Sequence, residues 1–526
     1  MFMTPAQMFK PFGLHWRTSG QGLKSLAYLS VEVTCLLINR DRHLGRATKL
    51  AKRARSSLVL SFLSHDPTPS DPRGVMSEPK KVGMISLGCP KNLVDSEVMM
   101  GLLTSQGYEM TTDSEAADVL VVNTCGFIDS ARQESVDTIL EMAELKKTGK
   151  LKKLIVAGCL VERFQAELQN EIPEIDACIG VNQVRDVLTV AAGGRTPLPI
   201  YSAGADAPEL FLYDETTPRL RATAPSTAYV KIAEGCDHTC GFCIIPRLRG
   251  VFRSRPPESI LREVEMLAAQ GVKEIVFISQ DTTNYGSDLC LRDGLARLVE
   301  AAAAVKGVEW VRFLYCYPTN LTDELLRVVA EHPNVCSYFD IPLQHASKRV
   351  LSRMRRGGDG EHYERMIGRI RERVPGAAVR TTFIVGFPGE RDEDVDELVD
   401  FVRRVEFDRA GVFTYSDEEE TFGFGLDGKV DRKTALSREK RLMKEQARIS
   451  KRRNRGLIGK VVPVLLEGRS KETDLLYQGR METQAPEIDG CVLINDVGDG
   501  IEARPGDFVN VEITEAHAYD LVGRVV

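Results

Sequence analysis

Three cysteines near the middle of the chain have the spacing of a metal-cluster loop. Cys236, Cys240 and Cys243 form a C-x-x-x-C-x-x-C pattern directly after an apolar run at residues 228–233, which predicts a buried strand. Soft thiolate ligands suit iron–sulfur clusters, and the short spacers let one loop hold three corners of a cubane 4Fe-4S cluster. The fourth iron is then left without a protein ligand, so the pattern predicts an iron that is open to a small molecule.

A structural zinc loop, or three unrelated core cysteines, would be the ordinary interpretation of the same residues. Structural zinc sites use four protein ligands, usually as two separated pairs. No second cysteine or histidine pair lies nearby in the sequence, and His238 is the candidate for a fourth ligand within the loop. The iron–sulfur cluster is therefore the favoured interpretation.

A second set of three cysteines shares one position relative to predicted strands. The predicted parallel strands are residues 82–87, 119–122 and 154–157, and the cysteines that follow them are Cys89, Cys125 and Cys159. Helical periodicity at residues 96–106 and 130–145 separates the strands, which predicts a small α/β domain. The carboxyl ends of parallel strands line one crevice, and a glycine beside each cysteine lets the backbone approach a bulky group closely. The set predicts a second cluster site.

Composition bounds the class of protein. The chain has 526 residues, of which 43% are hydrophobic and 27% charged, as in a soluble protein of three or four domains. No apolar run reaches the roughly 18 residues that a membrane-spanning helix needs. The cysteines outside the two sets are expected to be inert core residues, without disulfides, in a reduced cytosolic protein; they are Cys35, Cys178, Cys290, Cys316, Cys336 and Cys491.

The first 75 residues differ from the rest of the chain. They contain eleven Lys or Arg against four Asp or Glu, a net charge of +7, whereas the whole chain carries −6. This leader has the character of a transit peptide, but Met76 precedes the first strand as a natural start would, so we expect a disordered leader or a mis-assigned start.

Residues 80–194 are the predicted amino-terminal domain, and residues 195–225 are a predicted linker rich in Gly, Ala, Pro and Thr.

Residues 226–455 alternate strands with helices and predict an open barrel of six βα units. The predicted strands are residues 228–233, 274–279, 310–315, 338–341, 379–385 and 410–415. In such barrels chemistry occurs at the carboxyl ends of the strands, where the cysteine loop and several polar or glycine residues follow. The basic run at residues 451–455 is a candidate RNA contact, although a solvated helix is the commoner explanation. Five short strands within residues 456–526 predict a small closed β barrel.

The motifs around these sites resemble the methylthiotransferase family from about residue 81 to the end. The resemblance lies in SLGCPKNLVDSE, NTCGFIDSARQES, KIAEGCDHTCGFCIIPRLRG and PLQHASKRVLSRMRR. It implies an α/β multidomain protein: a Rossmann-like amino-terminal cluster domain, a partial (β/α)6 radical S-adenosylmethionine (SAM) barrel and a terminal TRAM barrel. It also implies two 4Fe-4S clusters at the two cysteine sets, with SAM as the second cofactor. The implied SAM contacts are Phe242, Ser279, Gln280, Gln344 and Gly386.

The flanking residues, such as Pro90 after the first cysteine, are similar to the family branch that methylthiolates the β-carbon of an aspartate in ribosomal protein uS12. The resemblance then implies uS12, free or in the small subunit, as partner, together with an external electron donor, in the cytoplasm and without membrane or tRNA. Two alternatives remain open. One is the branch that modifies tRNA adenosine, and the other is a non-catalytic iron–sulfur scaffold that binds RNA. No cysteine is expected to act as a direct nucleophile.

Overall fold

The computed structural model describes residues 79–149, 151–194, 211–470, 473–497 and 504–526. These residues form an amino-terminal α/β domain, an open barrel of parallel strands and a small closed barrel at the carboxyl end. The predicted leader and residues 195–210 of the predicted linker lie outside the described residues. Among the helices in the described ranges, none combines the length and the apolar composition that crossing a membrane would require.

The amino-terminal domain is a parallel sheet flanked by helices. Its elements are β1 (Lys81–Ser86), α1 (Pro90–Ser105), β2 (Glu109–Met110), β3 (Val119–Thr124), α2 (Asp129–Lys147), β4 (Lys153–Gly158), α3 (Cys159–Glu171), β5 (Ala177–Ile179) and α4 (Val187–Ala192). The strands lie in the order β2-β1-β3-β4-β5, and each neighbouring pair is parallel. The order reverses between β1 and β3, which is where open α/β sheets bind their ligands.

The three predicted strands of this domain are present, but the helix after the first strand was predicted to begin too late. It begins at Pro90 rather than at residue 96, with Cys89 as its extended N-cap residue. Proline is favoured at the first helical position because its missing N–H has no partner there in any helix. Strands β2 and β5 were not predicted, since two or three residues are too few to show an alternating pattern.

The middle of the chain forms six parallel strands with helices on their outer side. The elements are β6 (Thr227–Lys231), β7 (Ala233–Glu234), α5 (Ile245–Arg249), β8 (Arg253–Ser254), α6 (Pro257–Ala269), β9 (Glu274–Ile278), α7 (Gly294–Ala303), β10 (Trp310–Phe313), α8 (Asp323–Glu331), β11 (Tyr338–Asp340), α9 (Lys348–Arg353), α10 (Gly360–Arg373), β12 (Ala378–Val385), α11 (Asp392–Val405), β13 (Arg409–Thr414) and α12 (Arg432–Arg455).

All six predicted barrel strands are confirmed. Strands β10, β9 and β6 form one parallel sheet, and β11, β12 and β13 form another. A bridge between Val311 and Val335, and a hydrogen bond from the Cys316 N–H to the Asp340 carbonyl, join the two sheets. The two sheets therefore make one open barrel in the order predicted from the sequence.

The terminal barrel closes on itself as predicted. Its five strands are β14 (Val461–Arg469), β15 (Tyr477–Arg480), β16 (Val492–Asp496), β17 (Phe508–Ala516) and β18 (Leu521–Val525). They close in the order β14-β15-β16-β18-β17 around a core of aliphatic side chains. Each of these five strands therefore has a neighbour on both sides, so none of them is an edge strand.

Helix α1 lies between the sheet of the amino-terminal domain and the barrel and packs against both. Residues 90–101 are all buried, although Lys91, Asp95 and Glu97 are charged. Glu97 accepts hydrogen bonds from Arg219, which lies in the segment that runs from the amino-terminal domain into β6. The helix is thus covered on one side by its own sheet and on the other by the barrel.

Candidate active site

The loop that follows β6 and β7 is fixed by its backbone in a tight turn. Gly235 has φ +87°, and a Cβ there would lie 2.0 Å from the Val251 carbonyl oxygen, so a side chain has no room. The Cys236 N–H donates to the Gly250 carbonyl, and the Gly241 N–H donates to the Met354 carbonyl. These contacts hold the three cysteines of the loop at the rim of one cavity.

The cavity lies at the carboxyl ends of the barrel strands and has a volume of about 510 Å³, part of it open to solvent. Its lining comes from the cysteine loop and from the ends of β9, β10 and β11. The lining residues are Cys236, His238, Cys240, Phe242, Cys243, Ile245, Gln280, Tyr315, Cys316, Tyr317, Pro342, Gln344 and Arg356.

Three polar side chains of this lining carry a buried atom without a hydrogen-bond partner. These atoms are Gln280 Oε1, Gln344 Oε1 and Arg356 Nε. A buried polar group left unpaired costs free energy, which a ligand with matching polar groups recovers. Gln344 also has φ +73° and Tyr315 φ +66°, and such backbone strain in non-glycine residues is concentrated at functional sites. The cavity therefore fits a polar ligand with both donors and acceptors, as SAM is.

Two of the predicted SAM contacts, Ser279 and Gly386, are not among the residues that line the cavity. Ser279 is buried behind it, and its N–H donates to Thr282 Oγ1. The N–H of Gly386 donates to both carboxylate oxygens of Glu390, and a Cβ on Gly386 would lie 2.6 Å from that of Ala435. Phe242, Gln280 and Gln344 are in the lining.

Sequence reasoning missed Tyr315, Tyr317 and Arg356 as lining residues. The two tyrosines follow the third barrel strand, so their position after a strand end was an available signal. Arg356 is the last residue of the motif PLQHASKRVLSRMRR but does not follow a strand end. The fold brings it to the cavity, with its guanidinium 4.3 Å from the ring centroid of Tyr317. Its Nη1 lies 3.5 Å from Cys240 Sγ.

His238 does not have the geometry of a fourth zinc ligand. Its ring stacks on Tyr317 at 3.7 Å, and its Nε2 lies 2.7 Å from the Asp281 carboxylate. Among the described residues, no group of three or more His, Cys, Asp or Glu side chains is arranged around a single metal-ion position. In a cubane each cysteine binds a different iron, so the sulfurs lie farther apart than around one ion. The donor set fits three corners of a cubane.

The amino-terminal cysteines converge at the switch point of their sheet. Cys89 caps α1, Cys125 follows β3 and Cys159 is the first residue of α3. Gly88 has φ +93°, and a Cβ there would lie 2.9 Å from the Cβ of Cys125, so only glycine brings Cys89 this close. A Cβ on Gly126 would likewise lie 2.7 Å from the Cys159 carbonyl oxygen, so this backbone approach also requires glycine.

Burial favours the protonated form of two thiols at this site, those of Cys125 and Cys159. Burial raises the pKa of Cys125 well above its usual value, and the neighbouring Cys159 and Cys89 raise it further. Burial also raises the pKa of Cys159, while Arg249 acts in the opposite direction. Cluster ligands are thiolates, so a cluster bound at these cysteines would release protons, and the nearby Arg249 guanidinium would stabilise the resulting charge.

Cysteines of the two sets pack together across the domain boundary. Cys125 and Cys159 share one hydrophobic cluster with Cys236 and Cys243 of the barrel loop. Buried polar contacts lie beside this hydrophobic cluster. Arg249 at the end of α5 donates to Asn92 Oδ1 at 2.6 Å and to Glu234 at 3.0 Å.

This network reaches both sites. At one end, Arg249 Nη2 lies 3.6 Å from Cys159 Sγ. At the other, Gln280, which lines the cavity, donates its amide to Glu234. Lys231 pairs with both Asp95 and Glu234, so the network joins α1 to the first barrel strand.

Comparison with known proteins agrees with this architecture. Residues 81–180 match the Uncharacterized protein family UPF0004, residues 230–402 the Radical SAM superfamily and residues 458–526 the TRAM domain. The ribosomal protein uS12 methylthiotransferase RimO of Solibacter usitatus is 55% identical over 451 residues, covering 85% of this chain and 95% of the relative. The protein of the same name from Koribacter versatilis is 50% identical, covering 86% and 97%.

Among solved structures, the radical SAM methyltransferase TsrM of Kitasatospora setae, with cobalamin and a [4Fe-4S] cluster bound, is 15% identical. The alignment covers 64% of this chain and 75% of that chain, with a TM-score of 0.46.

The barrel, its three-cysteine loop and the matched superfamily define a radical SAM enzyme that uses SAM and 4Fe-4S clusters. Within that class, the identity to full-length relatives shows the family. The chain belongs to the ribosomal protein uS12 methylthiotransferases.

Proposed function

We propose that this enzyme transfers a methylthio group to the β-carbon of an aspartate residue of ribosomal protein uS12, in the cytoplasm. The observation that carries the proposal is that two cysteines of each set meet in one hydrophobic cluster: Cys125 and Cys159 of the amino-terminal set, with Cys236 and Cys243 of the barrel loop packed against them. One set is beside a cavity whose lining carries unpaired polar atoms, and the other is at the switch point of an α/β sheet. A single cluster would serve radical formation, whereas sulfur transfer calls for a second site beside the first.

The chemistry of the substrate explains why radical formation is needed. A β C–H bond beside a carboxylate is too weakly acidic for a side-chain base at neutral pH. When bound, the cofactors supply the radical that takes the hydrogen and the methylated sulfur that replaces it, while the protein positions the reacting atoms. An external one-electron donor is required to start each cycle.

The roles of the chain's own residues follow from their positions. Cys236, Cys240 and Cys243 would hold the SAM-cleaving cluster. Gln280 and Gln344 would receive SAM with their unpaired amide oxygens, beside the ring of Phe242.

The second site and the turns behind the cavity complete the assignment. Cys89, Cys125 and Cys159 would hold the sulfur-donating cluster. Ser279 would contribute by fixing the turn that carries Gln280, and Gly386 by fixing the loop after β12, rather than by touching the cofactor.

The negative charge of the terminal barrel favours a basic protein as its binding partner. Residues 457–526 contain six Lys or Arg against thirteen Asp or Glu, a net charge of −7. Arg480 is directed into the interface with Glu274, so it adds no positive charge to the outer face. Ribosomal proteins are strongly basic, and such complementarity speeds association and disfavours RNA at the same surface.

The test is an anaerobic assay with reconstituted enzyme, a one-electron reductant, SAM and purified uS12. We expect 5′-deoxyadenosine to form and uS12 to gain one methylthio group, located at an aspartate by mass spectrometry. The enzyme should contain about eight irons, as two cubanes do.

A triple variant separates the two sites. Changing Cys89, Cys125 and Cys159 to Ala should remove half of the iron and abolish methylthio transfer, while SAM cleavage continues. Full iron content in that variant would refute the amino-terminal site. Formation of methylthioadenosine in tRNA, with no change to uS12, would assign the enzyme to the other branch of the family.

A further inference from the structure

Helix α12 links the radical SAM barrel to the terminal barrel along one side of the molecule. Its 24 residues span roughly 36 Å at 1.5 Å per residue. Its buried face includes Leu442 and Ile449, which pack into the core of the large barrel. Near its end, Asn454 donates to the His517 carbonyl of the terminal barrel at 3.0 Å. The helix is therefore a fixed structural element whose opposite face is exposed.

Five basic residues lie in a line on that exposed face, at alternating spacings of seven and four residues. They are Lys433, Lys440, Lys444, Lys451 and Arg455, which we call the basic stripe, and all five are exposed. At about 100° per residue these positions fall within an arc of about 60° and extend over roughly 33 Å. The two acidic residues of the helix, Glu439 and Glu445, lie at least about 80° away from this arc.

The basic stripe differs in its ion pairing from the other basic residues of the same helix. Three of its neighbours pair with acids: the pairs are Arg441–Asp396, Arg448–Glu445 and Arg452–Glu406, at 2.6, 2.9 and 2.6 Å. Within the described ranges, none of the five stripe residues forms an ion pair. A helix that served only as a scaffold would need no such line of uncompensated charge, because like charges four residues apart, as in Lys440–Lys444 and Lys451–Arg455, destabilise it.

We propose that the basic stripe binds the phosphate backbone of structured RNA, and that this RNA is the ribosomal RNA beside uS12 in the small subunit. The proposal rests on the proposed function, which makes a ribosomal protein the substrate. Four of the five residues are lysines, which act as flexible point charges and suit phosphate contacts that do not read sequence. Double-stranded RNA is recognised largely through such backbone and shape contacts.

The charge on the two neighbouring elements supports a division of roles. The terminal barrel is acidic and would repel RNA, whereas the stripe attracts it. An enzyme on the assembled subunit would need both surfaces, one for the basic protein and one for the phosphates around it. The basic stripe therefore favours uS12 within the assembled small subunit, rather than free uS12, as the substrate.

The test compares the full-length reconstituted enzyme with two charge-matched variants. The stripe variant is K433Q/K440Q/K444Q/K451Q. The control variant removes the same charge from exposed lysines outside α12 and is K80Q/K147Q/K152Q/K306Q. Circular dichroism and thermal melts check that both variants fold as the wild type does.

Binding to purified small-subunit ribosomal RNA is measured over a range of salt concentrations. The slope of log K against log salt should fall by about one per lysine removed in the stripe variant and stay unchanged in the control. Turnover is measured on free uS12 and on intact small subunits. We expect at least a tenfold loss of kcat/KM on subunits for the stripe variant, with free uS12 modified at the wild-type rate.

Equal slopes for the stripe variant and the wild type, or no binding of ribosomal RNA by the wild type, would overturn the proposal. An equal loss of turnover on free uS12 and on subunits would do the same, because the stripe would then act on catalysis rather than on RNA. Failure of the proposed function looks different, since the wild type would leave uS12 unmodified in both forms while the RNA-binding slopes still report on the stripe.

Discussion

Replacing Arg249 by Lys should make the amino-terminal cluster harder to reduce without removing it. Arg249 is buried, and its guanidinium reaches Cys159 Sγ at 3.6 Å and Asn92 Oδ1 at 2.6 Å with one nitrogen. Its other terminal nitrogen contacts Glu234 at 3.0 Å. Lysine keeps the positive charge near that carboxylate but cannot make the forked set of contacts, so the donor to sulfur is lost.

The size of the effect follows from the strength of that contact. A hydrogen bond to a charged group contributes about 1.5–3 kcal/mol. The reduced cluster carries one more negative charge than the oxidised cluster, so the donor stabilises the reduced form more. Only this difference moves the potential, and about 1.4 kcal/mol corresponds to ~59 mV for one electron. We therefore expect a shift of about 60 mV to more negative potential.

The assay is an anaerobic potentiometric titration followed by electron paramagnetic resonance. The triple variant of Cys89, Cys125 and Cys159 lacks the amino-terminal cluster and gives the signal of the barrel cluster alone, so the amino-terminal signal is obtained by difference. Arg356→Lys is the matched control, because Arg356 Nη1 lies 3.5 Å from Cys240 Sγ of the barrel set. That variant should shift the barrel cluster and leave the amino-terminal one unchanged.

Two results would refute this reasoning. If Arg249→Lys kept its full iron content and an unshifted amino-terminal potential, the contact with Cys159 would have no electronic effect. If it shifted both clusters equally, Arg249 would act through the general fold rather than through one sulfur.

Three further predictions follow from other parts of the molecule. Although burial alone would raise the pKa of Glu274, Arg480 and Arg312 lower it to about 2. Above its ordinary pKa of 4.5 this carboxylate thus contributes roughly 3 kcal/mol of stability, lost as pH falls from 4.5 towards 2. Glu274→Gln should destabilise the enzyme by about 3–5 kcal/mol at neutral pH, and thermal melts should show the gap narrowing in acid. Deleting residues 1–75 should leave the melting temperature and the activity unchanged, and a large drop in either would show that the leader packs. Residues 457–526 alone should bind uS12 in low salt, release it as salt rises and show no affinity for tRNA, whereas tight tRNA binding would contradict the acidic-surface argument.

The parts of the site that sequence predicted are those with a local signal. The position of Cys89, Cys125 and Cys159 after successive strands was enough to predict that they converge, because parallel strands end at one edge. The barrel loop was predicted from its spacing in the same way. Arg249 and Arg356 were not predicted as neighbours of the cysteines. Both lie within motifs that carry the family resemblance, but their positions in the sequence do not indicate which side chains they contact.

Helix α1 shows why the remainder depended on tertiary structure. Its residues Lys91, Asp95 and Glu97 interrupt the apolar pattern, so only the second half of the helix was predicted. Their partners, such as Lys231 for Asp95, lie more than a hundred residues away. Burial among those partners makes the charges acceptable, and no local pattern contains that information.

The buried charges at the domain boundary, Asp95 among them, determine how the two cysteine sets are held relative to each other. An apolar interface between the domains would tolerate small sliding motions, since hydrophobic contact is not directional. The contacts of Asp95 and Glu234 with Lys231 and Arg249 are directional and buried, and breaking one would leave an uncompensated charge. Sulfur transfer between neighbouring sites needs a fixed separation, so an ionic network beside the cysteines serves the reaction better than additional apolar area would.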